Sequence, residues 1–333
     1  MRELEPEIAV VIPSYRVSRH ILGVIASAGP MVRQIIVVDD ACPDGSGALV
    51  KEQCRDERVV VLTHEVNQGV GGAVLTGYRH AIESGADIIV KVDGDGQMDL
   101  NLLPRFVAPI ANGLADYTKG NRFYDLSEIG QMPLLRLVGN AGLSFMAKFS
   151  SGYWDVFDPT NGYTAISARV ARLLPVDKIS KRYFFETDMM FRLGTFRAVI
   201  VDVPMDAKYA DEVSNLKISQ VLGEFLVKHV RNFGKRVFYN YFLRDLSIAS
   251  LELIAGLALL AFGAGFGAIA WSKAITSGVP ATAGTVMLAA MPVLVGLQFL
   301  LAFFSYDIAS VPKLPLSARL VDRLDADRAA EEQ

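Results

Sequence analysis

The chain has 333 residues, 33 Lys plus Arg against 36 Asp plus Glu for a formal net charge of −3, and 51% hydrophobic residues. That length buries a sizeable core and suggests two domains or one domain with appendages, while the slightly acidic balance, with no basic stripe outside the juxtamembrane stretch, argues against a nucleic-acid binder. The mean hydropathy of +0.31 is high for a soluble enzyme, and the excess is concentrated near the C-terminus.

The N-terminus "MRELEPEIAVVIPSY" holds one short apolar run, which predicts a strand and no signal peptide. Up to about residue 125, β-branched runs ("IAVVIPSY", "QIIVVDDA", "RVVVLTHE", "DIIVKVDGD") alternate with amphipathic stretches such as "GGAVLTGYRHAIESG". This is the pattern of βαβ units and a mainly parallel sheet covered by helices. Such sheets bind ligands at the carboxyl ends of their strands, so the acidic ends "VDD" and "VDGD" should face one crevice. Further on, "NGYTAIS" and "AVIVDVPM" read as strands with "FFETDMMFRLG" a helix between them. Cys42 and Cys54 lack metal-ligand spacing and read as ordinary thiols.

From 215 to 244, Ile218, Leu222, Phe225, His229, Phe233, Val237 and Tyr241 recur at helical spacing among basic residues. A cationic amphipathic segment beside a span predicts an interfacial helix. The alternative is a surface helix packed on its own domain. Leu253 to Trp271 and Val279 to Tyr306 carry no charge, and each is long enough to cross a bilayer core, which takes about 20 helical residues. Lys228, Arg231, Lys235, Arg236 and Arg244 precede the first span and Lys313, Arg319 and Arg323 follow the second, with Lys273 alone between. Basic flanks belong on the cytoplasmic side, so both termini are expected there. The tail "DRLDADRAAEEQ" reads as poorly ordered. The resulting division is 1–214, a juxtamembrane helix at 215–244, two spans within 245–311, and a tail at 312–333.

Two familiar motifs fail on spacing. "DGDGQMDL" places Asp93, Asp95 and Gln97 at the first, third and fifth ligand positions of a calcium loop, but its sixth position is Met98 and its twelfth Pro104, and a strand precedes it. In "NQGVGGAVLTGY" the glycines at 69 and 71 would require a third at Val74 for a dinucleotide fingerprint, and the run follows the third strand. A strand-to-helix turn that needs glycine for backbone reasons explains it equally well.

Taken in order, "VVIPSY", "VVDDACPDGSG", "NQGVGGA", "KVDGDGQ", "KGNRF", "DPTNGYTAIS" and "FFETDM" resemble the family 2 inverting glycosyltransferases of GT-A fold, in the dolichyl-phosphate mannose synthase and polyprenyl-phosphate glycosyltransferase branch, over about residues 7 to 215. The resemblance implies an α/β Rossmann-like domain with helices on both faces, joined to the juxtamembrane helix and two transmembrane helices. It implies a UDP- or GDP-sugar donor whose diphosphate is neutralised by Mg2+ or Mn2+ held by Asp95, with Asp93 and Gln97. The alternative for Asp93 is contact with ribose or sugar hydroxyls, and Asp99 suits a helix start. Pro13, Tyr15, Asp39 and Asp40 would surround the nucleoside. The family often has Asn-Glu after that tyrosine where this chain has Arg16-Val17, which leaves the base open.

A polyprenyl phosphate, undecaprenyl or dolichyl, is an oxyanion at neutral pH and attacks without a general base if cations hold it. Arg122, Arg136 and Lys208 are the candidates, each with a surface-charge alternative. A hydroxyl acceptor would need a base, for which Asp188, with Glu186 beside it, is the candidate; the pair could equally favour a helix macrodipole. The expected protein is an integral, bacterial inner-membrane, metal-dependent transferase, its catalytic domain cytoplasmic, with its helices offering a route to a homo-oligomer. The rivals are a transferase acting on a hydroxyl of a lipid-linked oligosaccharide and a non-catalytic membrane-anchored nucleotide-sugar sensor. Loss of the metal carboxylates would mark a sensor, yet Asp93 and Asp95 are present.

Overall fold

The computed structural model describes residues 6–124, 134–206 and 218–320, with side chains from 137 and from 223 onward in the last two segments. Strands β1 (Ile8–Ser14), β2 (Val32–Asp39), β3 (Val59–Thr63), β4 (Ile88–Lys91), β5 (Tyr117–Asn121), β6 (Thr164–Ser167) and β7 (Ile200–Pro204) form one sheet in the order β3-β2-β1-β4-β6-β5-β7. The first four strands run parallel, β6 is antiparallel to both neighbours, and β5 and β7 are parallel to each other. The helices among them are α1 (Ile21–Ala26), α2 (Ser46–Gln53), α3 (Val70–Glu83), α4 (Leu103–Ala111), α5 (Leu134–Ser151), α6 (Ala168–Ala171) and α7 (Phe185–Phe196).

Both faces of the sheet are covered, which is why β1 and β2 are apolar almost throughout. Ile8, Val10 and Ile12 of β1 join Ile21 and Val24 of α1 and Phe106 of α4 in one core, where Phe106 and Tyr163 stack at 3.9 Å. Val11 points the other way, as alternation requires, and touches α3 where Gly77 leaves room. β1 lies between β2 and β4, and the chain passes from β1 to one side and later to the other. This is the point where open α/β sheets leave a crevice at their carboxyl ends.

The chain falls into two compact units: residues up to Phe233 with those from Pro312 onward, and Gly234–Val311. The segment after Pro312 belongs to the first unit for an identifiable reason. Asp116, fully buried, accepts the backbone N–H groups of Val199 at 2.8 Å and of Leu316 and Ser317 at 2.7 Å each.

Helix α8 (Ile218–Phe238) begins in the first unit. Its stripe is turned onto protein there: Phe233 stacks on Phe149 at 4.1 Å, Phe225 meets Phe184 edge-on at 5.1 Å, and His229 bonds Ser150 Oγ at 2.8 Å. Among its described side chains, Leu226, Val227, Val230 and Phe238 are exposed and apolar. In the second unit, α9 (Ile248–Ser277) and α10 (Ala283–Ala309) are long and apolar enough to cross a membrane, with mean hydropathies of 2.2 and 2.3. They pack where glycine allows it, since a Cβ at Gly263 would stand 2.7 Å from the Ala289 carbonyl. Asp307, at the end of α10, makes a two-pronged ion pair with buried Arg236 at 2.6 and 3.0 Å and accepts Tyr241 Oη–H at 2.6 Å. The expectation for the tail from residue 322 lies outside the described residues.

Candidate functional site

The carboxyl ends of β1, β2 and β4 carry Pro13 and Tyr15, Asp39 and Asp40, and Asp93 through Gln97, and the sheet order brings these ends side by side. Register makes this specific: Pro13 pairs with Val38 and Ser14 with Asp39, and Val92 N–H reaches the Val11 carbonyl at 3.0 Å. The turn 93–96 lies against the chain after β1, for a Cβ on Gly94 would meet Val17 Cγ2 at 3.0 Å and the Pro13 carbonyl at 3.3 Å. Gly96 takes φ +78°, which explains a glycine there. Tyr15 is 42% exposed, with the Arg16 guanidinium 5.4 Å from its ring centre. Asp95 Oδ1 accepts the Gln97 N–H at 3.0 Å, and Asp99 caps the turn beginning at Leu100.

Asp39 and Asp40 do different work. Asp39 Oδ1 accepts the Cys42 N–H at 2.8 Å, and its Oδ2 lies where any side chain at residue 47 would stand. Asp40, 1% exposed, accepts His64 Nδ1 at 2.7 Å, Gln68 N–H at 2.8 Å and Gly69 N–H at 2.8 Å. Its carboxylate therefore organises the glycine-rich turn from within. That turn needs its glycines because another loop crosses it. The N–H of Gly71 donates to the Lys181 carbonyl at 2.9 Å, and a Cβ there would stand 2.6 Å from Phe185 Cδ2.

Beneath the turn sits Lys91, the last residue of β4 and 1% exposed. Its ammonium lies 2.8 Å from Asp93 Oδ1 and 3.2 Å from Glu186 Oε1 of α7. Burial alone would lower the Lys91 pKa, but the two carboxylates override it and hold it above its ordinary value. Burial pushes the Glu186 carboxyl up, a shift that Lys91 opposes. Gly162 closes over the pair, since a side chain there would overlap both Lys91 Nζ and Asp93 Oδ2.

A second polar cluster lies at the end of β5. Arg122 grips Asp158 with Nε–Oδ2 at 2.7 Å and Nη2–Oδ1 at 2.9 Å. Burial would raise the Asp158 carboxyl, but the Arg122 hydrogen bonds and the nearby Lys119 ammonium hold it below its ordinary value. Lys119 is fully buried, which lowers its own pKa. Asn161 Nδ2 adds a bond to Asp158 at 3.3 Å, and Asn121 Nδ2 donates to Asp202 at 2.9 Å. The Arg136 side chain and Lys208 lie outside the described residues.

Asp188 is not brought to this crevice. It is 3% exposed and accepts Ser180 N–H at 2.8 Å and Asn232 Nδ2 at 3.2 Å, joining α7 to α8. Two residues earlier on the same helix, Glu186 faces Lys91 instead, as the helical turn dictates. Among the described residues no group of three or more His, Cys, Asp or Glu side chains could hold a metal ion. The carboxylates of Asp93 and Asp95 still suit a hard cation that completes its shell with water and phosphate oxygens, as Mg2+ does when one or two carboxylates hold it.

Lys91, Asp158, Lys119 and Asp202 were not singled out by motif. Lys91 had a readable signal: a lysine inside the buried run "DIIVKV" requires a partner.

Residues 9–174 match the family model described as glycosyl transferase family 2. The chain is 31% identical over 218 residues to a UDP-N-acetylglucosamine–dolichyl-phosphate N-acetylglucosaminyltransferase of Methanococcus voltae, covering 61% of this chain and 86% of that one. It is 30% identical over 229 residues to an undecaprenyl-phosphate mannosyltransferase of Micrococcus luteus, covering 67% and 93%, and 31% identical to a polyprenol monophosphomannose synthase of Mycolicibacterium smegmatis, covering 59% and 75%. Among solved structures, mannosyl-3-phosphoglycerate synthase of Rubrobacter xylanophilus superposes with a TM-score of 0.54 at 18% identity, covering 74% and 78%. Glucosyl-3-phosphoglycerate synthase of Mycobacterium tuberculosis, in complex with Mn2+, UDP-glucose and phosphoglyceric acid, gives 0.51 at 19%, covering 69% and 79%.

Proposed function

The chain belongs to glycosyl transferase family 2, and from that premise we propose that it transfers a sugar, with inversion, from a nucleotide-sugar donor to a polyprenyl phosphate at the cytoplasmic face of a membrane crossed by α9 and α10. One observation carries the choice of acceptor. Of the two acidic residues of α7, Asp188 is committed to Ser180 and Asn232 and Glu186 is ion-paired with Lys91. A hydroxyl acceptor needs a carboxylate to take its proton; a phosphate is already ionised. The relatives named for dolichyl, undecaprenyl and polyprenol phosphates support the same acceptor class.

Donor and acceptor then meet different parts of the chain. Tyr15 offers an exposed ring for a base to stack on, and Asp39 sits beside it. Asp95, with Gln97 and the remaining oxygen of Asp93, would hold Mg2+ or Mn2+, which when bound neutralises charge on the departing diphosphate. Asp93 keeps one oxygen on Lys91 and turns the other toward Gly162. Arg122, held by Asp158 and 31% exposed, would present a fixed guanidinium to the acceptor phosphate, the role also proposed for Arg136.

The test incubates purified full-length protein with radiolabelled UDP- and GDP-sugars and either undecaprenyl or dolichyl phosphate, with and without EDTA. Labelled lipid that disappears with chelator and returns with Mn2+ is the expected result. In a parallel incubation that also supplies a lipid-linked oligosaccharide, labelling confined to that oligosaccharide would overturn the acceptor, and full activity in EDTA would overturn the metal. The hydroxyl reading retains one specific support, the raised Glu186 carboxyl, so its candidate base is Glu186 and no longer Asp188.

A further inference from the structure

Lys91 is a feature of the crevice that neither a bound donor nor a phosphate acceptor requires. It ends a buried strand in fixed register, opposite Val11 on one side and Thr164 on the other, so its backbone cannot shift without moving the sheet. Its ammonium is 1% exposed and touches two carboxylates that come from different elements, Asp93 after β4 and Glu186 in α7. Ion pairs this deeply buried gain little over well-packed apolar residues. Apolar side chains in place of all three would serve stability about as well. The triad is better explained by what it does to its two carboxylates.

Consider the charge on the crevice floor before any donor arrives. Asp93, Asp95 and Glu186 would contribute three negative charges where a diphosphate must bind, and Lys91 removes one of them. A single divalent ion then brings the floor to neutrality, and the diphosphate enters without net repulsion. Without the ammonium, Asp93 and Glu186 become two half-buried carboxylates with no cation between them, a pair that attracts a cation of its own. Geometry reinforces the point. The Lys91 contact holds one oxygen of Asp93, and the other lies where any side chain at residue 162 would stand.

We propose that Lys91 is a positioning residue of the transfer reaction, a built-in cation that holds Asp93 and Glu186 in place and cancels one of their two charges so that the crevice takes its nucleotide-sugar donor with one divalent ion. The role rests on the nucleotide-sugar reading above but not on the identity of the acceptor.

The experiment uses the full chain in detergent without acceptor. Mn2+ binding is read by electron paramagnetic resonance, and Mn2+-dependent binding of UDP and GDP by calorimetry. In Lys91→Met, Mn2+ alone should bind about tenfold tighter than in the wild type, because the exposed carboxylate pair accepts it. That gain should vanish in Lys91→Met/Glu186→Gln. The preferred nucleoside diphosphate should bind Lys91→Met about tenfold more weakly. Gly162→Ala changes no charge but forces the pair apart, so it should weaken the diphosphate by a similar factor with no tightening of Mn2+. Mn2+ and diphosphate affinities within twofold of wild type in Lys91→Met would overturn the proposal. Should that variant not fold, Gly162→Ala decides alone, and wild-type diphosphate affinity there overturns it equally. Failure here with lipid labelling intact removes only the role of Lys91; the expected affinities with no lipid labelled remove only the acceptor.

Discussion

Replacing Arg122 by alanine tests acceptor binding, but the structure predicts that it also strands a charge. Asp158 is 2% exposed while Arg122 is 31% exposed. Removing one partner of a buried pair costs about 3–5 kcal/mol. Here Lys119 and Asn161 remain near the carboxylate, and the guanidinium is partly solvated, so about 2–3 kcal/mol is the expected loss. For a unit of this size that lowers the apparent unfolding midpoint by about 5–10 °C. Adding Asp158→Asn removes the stranded charge and should return about half of the loss, the remainder reflecting a buried Lys119 that has lost a neighbour. Transfer should behave differently. A charge-assisted contact to an acceptor phosphate contributes about 1.5–3 kcal/mol, so kcat/KM for polyprenyl phosphate should fall about 10- to 150-fold in Arg122→Ala and stay low in the double variant. Differential scanning fluorimetry and initial-rate kinetics on the three proteins complete the cycle. Recovery of transfer together with stability in Arg122→Ala/Asp158→Asn would refute the reasoning, because Arg122 would then act only by satisfying Asp158.

Glu186→Gln and Asp188→Asn separate the two acceptor classes: with a phosphate acceptor Glu186→Gln should cost kcat less than about tenfold, and Asp188→Asn should chiefly lower stability. A loss of 100-fold or more in Glu186→Gln, with its acidic pH limb abolished, would establish a general base instead. His229 makes stability fall on acidification. Burial lowers its pKa to about 4 from 6.5, so both states are neutral above pH 6.5, and below it the unfolded chain takes up a proton that the folded chain refuses. The loss should reach about 2 kcal/mol by pH 5; His229→Gln, which keeps a partner for Ser150, should flatten the difference, and identical pH profiles would exclude His229 as the cause. Asp116→Ala should free the segment after Pro312, read as tryptic cleavage at Lys313 and Arg319 accelerated about tenfold; unchanged cleavage would mean that the three N–H contacts do not hold it.

Six of the seven strands were legible because they are short and rich in β-branched residues, and the acidic residues at the ends of β2 and β4 could be assigned to one crevice from the parallel pattern alone; β5, whose sequence YTKGN is buried but polar, carried no such signal. What a carboxylate does there was not legible. Asp39 and Asp40 are adjacent and chemically identical, yet Asp40 is consumed by His64, Gln68 and Gly69, contacts that span 24 to 29 residues. Asp188 and Glu186 are two positions apart on α7, and only the rotation of α7 decides which meets Lys91. The amphipathic stripe of α8 was correctly periodic but ambiguous in destination, since an aromatic face suits a bilayer or a protein equally. Phe149 and Phe184 resolve it in favour of protein for Phe225 and Phe233.

The same limit applies to the ends of the two-helix hairpin. Charge patterning located the two helices that are long and apolar enough to cross a membrane. It could not reveal that the chain beyond the second span returns to the first unit through Asp116. A truncation after residue 242 therefore removes more than the membrane anchor, for it also deprives a fully buried carboxylate of two of its three N–H donors. Such a fragment would lose about 1–3 kcal/mol from that site alone, and its poor transfer could not be assigned to the missing spans. Asp116→Ala in the full chain separates the effects, because it releases the segment while leaving both spans in place. If transfer to membrane-embedded acceptor survives that change, the spans and not the returning segment hold the site at the depth of the acceptor.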